Sequence, residues 1–273
     1  MEFTSSQLSL LFTRLRQTKE ELLYDVQQQQ VLRYKLNQDG NSILGVAHCD
    51  FVEDAWSFPT YFDSDTKIRA GQVDDRVGVW LLLDVLPSIP EMPTFDYLLT
   101  TDEECGRSSA QEVEEDLDYN WTFQFDRRGT DFVDYGKSSK RFLESFKSAT
   151  CIPYGIGSFS DICYLPASCG SRVNIGTGYH NEHSPDAWVD LAECASQVER
   201  FVDFASQYAE TKFAMRRPPR QRPMTGFGWE RSWKLPTDSA VDRNNLEGLC
   251  ADLETELNRQ FLDGGDDNFD TWK

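Results

Sequence analysis

The sequence predicts an α/β protein: a three-layer α/β/α sandwich around a mixed, mostly parallel central sheet. Short apolar segments typical of buried strands alternate along the chain with longer segments of helical periodicity. Several of these apolar segments end in Asp, Glu or His, and ligands collect at the carboxyl ends of strands in such folds. At 273 residues, the chain is also long enough to bury a substantial core.

The predicted elements follow from these patterns in chain order. Residues 4–24 predict a helix, because Leu8, Leu11, Phe12 and Leu15 share one face. Strands are predicted for residues 31–36, 42–52, 94–100, 121–126 and 171–176, and further helices for residues 74–89, 107–116, 138–149 and 188–210. The helix over 74–89 is expected to be buried and to be closed by Pro87.

A change of composition divides the chain after residue 212. The segment "RRPPRQRP" disfavours helix because of its prolines, and the chain ends in the acidic sequence "LDGGDDNFDTWK". We therefore expect residues 1–212 to form the folded domain. We expect residues 213–273 to be an appendage, made of a connector rich in proline and arginine and an acidic end.

Charge and cysteine content narrow the possible partners and location. The net charge of −19 argues against nucleic acid and against anionic membranes. The N-terminal apolar run is too short for a signal peptide, and no window approaches the roughly 18 apolar residues of a membrane span. The seven cysteines form no CxxC pair, so we expect reduced thiols in a cytoplasmic protein.

Five segments deliver metal-ligand side chains at strand ends or loop starts. In chain order they carry His48 and Asp50, Asp74 and Asp75, Glu103 and Glu104, Asp126, and His180 and His183. Histidine and carboxylate together suit zinc, or sometimes manganese or cobalt. Each segment alone has a simpler explanation: Asp74 and Asp75 suit a helix start, and Asp126 could pair with the arginine that follows it. The conjunction of the five segments favours a metal site.

In this order the segments "VAHCD", "VDDRVG", "TTDEECG", "FQFD" and "HNEHSPDAW" resemble the co-catalytic di-zinc exopeptidases. That superfamily comprises aminopeptidases, carboxypeptidases and aminoacylases, and the resemblance covers roughly residues 40–210. It implies a hydrolase that uses two divalent ions, zinc first and manganese or cobalt as alternatives, to cleave a peptide or small amide. An aminopeptidase-like exopeptidase is the first expectation; the alternatives are an N-acyl amino acid deacylase and a non-catalytic metal-binding scaffold.

The resemblance also implies a role for individual residues. The implied metal ligands are His48, Asp74, Glu104, Asp126 and His183. Asp74 would bridge the two metals, and the peptide bond after it would be cis. Asp50 would orient the ring of His48 through its far nitrogen. Glu103 would be the general base, accepting a proton from water that the metals activate.

Two features of the resemblance leave alternatives, and a third limits it. On spacing alone either His180 or His183 could bind, but "HSPDAW" is the closer match, so His180 is expected to contact substrate or to pack. The segment "GIGSFSDICYLP" resembles a loop that lines the substrate cleft, or it is a plain polar turn. Asp50 and Asp74 are 24 residues apart and Asp126 and His183 are 57 apart, which leaves no room for a lid or dimerisation domain.

Overall fold

The structure is a computed structural model that describes residues 1–22, 34–35, 41–52, 58–113 and 117–216. The chain divides into one compact unit from Met1 to Arg220 and a second from Gln221 to Lys273. The second unit, and with it most of the predicted appendage, lies outside the described residues. The predicted boundary after residue 212 falls inside the first unit, where Phe213 is buried in the core.

The strands of the described residues form one mixed sheet. They are β1 (Tyr34–Lys35), β2 (Ile43–His48), β3 (Tyr61–Phe62), β4 (Lys67–Arg69), β5 (Asp96–Thr100), β6 (Trp121–Arg128), β7 (Phe132–Val133), β8 (Ser171–His180) and β9 (Trp188–Asp190). Their order across the sheet is β1-β5-β2-β6-β8-β9-β4-β3, with β7 paired to β8. The neighbouring strands β5, β2, β6 and β8 run parallel, and the other pairings are antiparallel. This confirms the predicted α/β fold with a mixed sheet, in which the parallel pairings lie at the centre and the antiparallel ones around it.

The four α-helices that lie wholly within the described residues all contribute to one large apolar cluster. They are α1 (Ser5–Arg14), α2 (Val73–Trp80), α3 (Lys140–Thr150) and α4 (Leu191–Tyr208). Leu11, Val77, Phe142 and Phe201, one from each helix, are buried in the same cluster as Phe123 of β6. The chain after α2 continues in a π-helical turn and then a 3-10 turn (Leu86–Ser88) that contains Pro87. No helix of the described residues is long and apolar enough to cross a membrane.

The second apolar cluster is covered by short turns rather than α-helices. Leu44 and Leu98 pack there against Ile162 and Leu165. The covering elements are the 3-10 turns Ser109–Glu112, Asp161–Cys163 and Ala167–Cys169. The helix predicted over residues 107–116 is therefore wrong within its described part, because so short a segment buries too little apolar surface to hold an α-helix.

The helix predicted over residues 188–210 begins later than expected. Trp188–Asp190 pairs with β4 and β8 as strand β9. The carboxylate of Asp190 then caps α4 by accepting the backbone N–H groups of Ala192 and Glu193. The strands β3, β4, β7 and β9 were not predicted, because two or three residues are too few to show a period.

Candidate metal centre

The predicted metal ligands come from separate elements and meet at the carboxyl ends of the parallel strands. His48 ends β2, Asp74 lies at the start of α2, Glu104 lies in the turn after β5, Asp126 lies in the second half of β6, and His183 lies between β8 and β9. The sheet therefore brings together side chains that are far apart in the chain, as expected for this class of fold.

The Nε2 atom of each of these two histidines faces two carboxylates. Nε2 of His48 lies 3.1 Å from Oδ1 of Asp74 and 3.5 Å from Oδ1 of Asp126. Nε2 of His183 lies 3.1 Å from Oε2 of Glu104 and 3.4 Å from Oδ2 of Asp74. Asp74 thus presents one oxygen to each histidine and stands between two half-sites.

Asp50 occupies the other side of the His48 ring. Nδ1 of His48 lies 3.1 Å from the backbone oxygen of Asp50 and 3.5 Å from its Oδ1. Oδ2 of Asp50 accepts the backbone N–H of Glu104 at 3.2 Å. Asp50 therefore contacts the ring in one half-site and the turn that carries the glutamate of the other.

The peptide bond between Asp74 and Asp75 is cis, as the resemblance implied. The ligand-type atoms of Asp75, His48 and Asp126 lie within 4.8 Å of one another, so Asp75 is a competing candidate ligand. Its Oδ2 accepts the backbone N–H of His48 at 3.3 Å, and its Oδ1 accepts that of Gly78 at 3.0 Å. Both carboxylate oxygens of Asp75 therefore accept backbone N–H groups and fix the backbone next to the centre. Asp74 is the acid that faces the histidines.

Comparison with known proteins rests on the fold, since no family model and no curated protein sequence matches the chain. A tripeptidase of Staphylococcus aureus subsp. aureus Mu50 aligns with a TM-score of 0.56 and 12% identity, over 75% of this chain and 98% of its own. Aminopeptidase PepT of Bacillus cereus ATCC 10987 aligns with a TM-score of 0.54 and 12% identity, over 74% of this chain and 97% of its own. An aminopeptidase of the archaeon Desulfurococcus kamchatkensis aligns with a TM-score of 0.53 and 13% identity, over 75% of this chain and 95% of its own. The chain has the fold of these peptidases.

Within this peptidase fold, the centre is rich in acid. Among the described residues, no lysine or arginine pairs with Asp74, Glu104 or Asp126, whose ion-pair partners are histidines. Burial and the charge of Asp74 raise the pKa of Asp126 well above its usual range. Burial lowers the pKa of His48, but hydrogen bonds with Asp126 and two other acids outweigh it and raise that pKa. Hydrogen bonds to Asp74 and Glu104 raise the pKa of His183 to about 10. The centre therefore favours positive charge.

The donor set and an unpaired oxygen fit divalent metal ions. Oε1 of Glu104 is buried and has no hydrogen-bond partner, a costly arrangement unless a cation lies beside it. Ligand-type atoms of His48, Asp74 and Glu104 also lie within 4.8 Å of one another. Imidazole nitrogen and carboxylate oxygen both bind zinc, and manganese and cobalt also accept this donor set.

Glu103 is half-buried in the turn between β5 and β6. Burial, together with the charges of Asp161 and Asp74, raises the pKa of Glu103 to about 7. Its backbone oxygen accepts the N–H of Gly106 at 2.8 Å, which helps to close the turn. A carboxyl group with a pKa near neutrality is suited to exchange protons with a neighbouring water molecule.

His180 lies apart from these contacts. Its Nε2 lies 2.9 Å from Oε2 of Glu193, and its ring stacks on Trp188 with centroids 4.2 Å apart. Between the two histidines the chain makes a turn in which Asn181 and His183 have positive φ. This turn directs His183 toward Glu104, although spacing alone had left both histidines possible.

Sequence reasoning missed three polar residues that hold Asp126. Nε2 of Gln124 donates to Oδ2 of Asp126 at 2.9 Å, and Oγ of Ser160 lies 3.4 Å from the same oxygen. Oδ1 of Asn174 accepts the backbone N–H of Asp126 at 3.0 Å. Strand alternation could have identified Gln124, because residues i and i+2 share a face. Ser160 lies in the segment "GIGSFSDICYLP", which the structure brings to the centre.

Proposed function

We propose that the chain is a metal-dependent hydrolase of amide bonds, and that it acts as an exopeptidase of the aminopeptidase kind. The position of Asp74 carries this proposal, because its two oxygens face His48 and His183 separately. A single acid between two histidine–carboxylate pairs suits two divalent ions that share one ligand. The peptidase fold supports the same conclusion.

The ligands divide into two sets around Asp74. His48 and Asp126 would hold one ion, and Glu104 and His183 the other, with Asp74 common to both. Two such ions, when bound, lower the pKa of water and polarise a scissile carbonyl. Each ion would then have one histidine and two carboxylates, and three protein ligands leave a fourth position open in catalytic zinc sites.

Glu103 is the proposed general base. It is half-buried after the carboxyl end of β5, directly before the proposed ligand Glu104, and a carboxylate next to water that the metals activate is a suitable general base. It would then return that proton to the leaving amine. The adjacent glutamates thus serve different purposes, since one faces a cation and the other takes up a proton.

Asp50 is proposed to orient His48. It contacts Nδ1 of the ring, while Nε2 faces the carboxylates of the centre. A carboxylate behind a ligating histidine sets the ring's tautomer and direction, and raises its basicity as a ligand. Asp50 would therefore act through His48, without contacting substrate.

The proposed substrates are peptides with a free amino terminus. Solved structures with this fold include aminopeptidases and a tripeptidase. The purified full chain, loaded separately with zinc, cobalt or manganese, should release amino acids from unblocked peptides faster than from N-acetylated peptides or N-acyl amino acids. Faster cleavage of N-acyl amino acids would instead support a deacylase. Bound metal without turnover of any of these substrates would support a non-catalytic scaffold.

A further inference from the structure

Asp161 is a fully buried carboxylate for which the proposed reaction has no role. It begins the 3-10 turn Asp161–Cys163, and its two oxygens receive hydrogen bonds from different parts of the fold. Oγ of Ser108 donates to Oδ1 at 2.5 Å, and Nε2 of Gln124 donates to Oδ2 at 3.2 Å. Asp161 therefore links the segment after β5 to strand β6.

Ser108 lies at the base of the turn that carries Glu103 and Glu104. Next to it, the N–H of Ser109 donates to the backbone oxygen of Thr101 at 3.0 Å, and the N–H of Thr101 donates to Oγ of Ser109 at 3.0 Å. These two bonds close the loop from residue 101 to residue 109. A hydrogen bond that holds Ser108 consequently holds the whole turn.

Gln124 connects Asp161 to Asp126. Its side-chain nitrogen donates both to Asp161 and to Oδ2 of Asp126, the latter at 2.9 Å, so its two N–H bonds reach two carboxylates. The amide oxygen of Gln124 accepts the hydroxyl of Ser160. Because its oxygen is also hydrogen-bonded, the side-chain amide of Gln124 cannot flip without losing these bonds. Asp126 is therefore held in one orientation.

We infer that Asp161 is a positioning residue that sets the turn of Glu103 and Glu104 relative to Asp126. The inference rests on the metal centre of the proposed function, because Glu104 and Asp126 are there assigned to different ions. Residues that orient metal ligands typically change metal affinity or activity by about 10–100-fold when replaced. Among the described residues, Asp161 itself hydrogen-bonds to no proposed metal ligand and would act on the ligands through Ser108 and Gln124.

The test is zinc affinity of the full chain, measured with zinc alone by competition against a chromophoric chelator. Asp161→Asn replaces one acceptor oxygen with a donor, so only one of the two hydrogen bonds can keep its present direction, and the negative charge of the carboxylate is lost. We expect its affinity to fall by about 10-fold, the lower end of the range for residues that contact a metal ligand directly. In the peptidase assay, kcat should fall more than KM rises, since substrate does not contact Asp161.

A matched control is Asp134→Asn. Asp134 is also buried and accepts hydrogen bonds from the hydroxyl of Tyr154 and from the backbone of Gly136 and Ser138. The same chemical change there loses comparable bonds away from the centre. It should leave zinc affinity unchanged, even if it lowers the melting temperature.

Ser108→Ala is a milder second variant, since it removes one donor and little volume. It should weaken zinc binding in the same direction but less, and it decides the question if Asp161→Asn does not fold by circular dichroism. Unchanged zinc affinity in a folded Asp161→Asn, or in Ser108→Ala when only that variant folds, would overturn the inference. A wild-type chain that binds no zinc would instead overturn the proposed function.

Discussion

Nε2 of His183 lies 3.4 Å from Oδ2 of Asp74. The other oxygen of Asp74 lies 3.1 Å from Nε2 of His48, so a single side chain faces both half-sites. Under the proposed function, an acid in this position would be shared by the two metal ions. The predictions about metal content follow from this geometry.

His183→Ala should lose the second metal and keep the first, because His48 and Asp126 are untouched. His180→Ala is the matched control: its ring contacts Glu193 and Trp188, so both metals should remain. Elemental analysis of gel-filtered protein gives the comparison. Metal loss in His180→Ala with full occupancy in His183→Ala would reverse the assignment of the two histidines.

Asp74→Asn should weaken both sites together. The amide keeps the size of the side chain but can offer only one acceptor, and a neutral oxygen is a poorer ligand for a divalent ion than a carboxylate. Zinc titration by calorimetry should therefore show weaker binding at both sites. Loss at one site with wild-type affinity at the other would show that Asp74 does not bridge.

Glu103→Gln should keep both metals and lose turnover. The substitution preserves shape but removes the proton acceptor, and general acid–base catalysis typically contributes about 10²–10⁴-fold, here mainly in kcat. Glu104→Gln should instead lose metal, because its carboxylate is a proposed ligand. Parallel metal analysis and peptide kinetics distinguish the two glutamates, and equal metal loss in both variants would show that the assignment is wrong.

Cys169 should make the fold less stable in alkali. Burial raises the pKa of its thiol to about 11, against about 8.5 for a free cysteine. The contribution is fully present below about pH 8.5 and is lost as pH rises toward 11, because the unfolded chain ionises first. Urea denaturation should show a smaller loss of stability over this range in Cys169→Ala than in wild type. The exposed Cys151→Ala is the control, and an equal loss in all three proteins would contradict the prediction.

Phe213 should be essential to the first compact unit. It is 1% exposed, and its ring packs 5.2 Å from Phe142 and 5.9 Å from Tyr208. Phe213→Ala should lower the free energy of unfolding by about 3–5 kcal/mol. Its backbone also bonds to Ser171 and Asn120, so truncation after residue 212 should cost more.

Truncation after Arg220, where the first unit ends, is the control and should leave that unit folded. Urea denaturation of the three variants gives the order of stability. The boundary predicted from composition implies instead that the protein truncated after residue 212 is stable. That boundary marks where arginine and proline become frequent, whereas a buried aromatic ring just beyond it belongs to the core.

Local sequence patterns were most informative for the central strands. β2 and β6 are apolar runs long enough to show strand character, and polar side chains mark their carboxyl ends. The turn Ser109–Glu112 was predicted as a helix, because helical spacing does not reveal how little apolar surface a segment buries. The two-residue strands β3 and β7 form by pairing with β4 and β8, which the local sequence does not encode.

By itself the sequence determined the α/β class, the parallel centre of the sheet and the segments that carry the candidate centre, because these depend on local periodicity and on the order of residue types. The resemblance had already favoured His183 over His180. Only the tertiary structure decided that Asp75 holds backbone amides and that Gln124 and Asp161 meet beside Asp126. These relationships join residues distant in the chain. They arise from strand register and loop closure, which bring such residues into contact without leaving a periodic signal along the sequence.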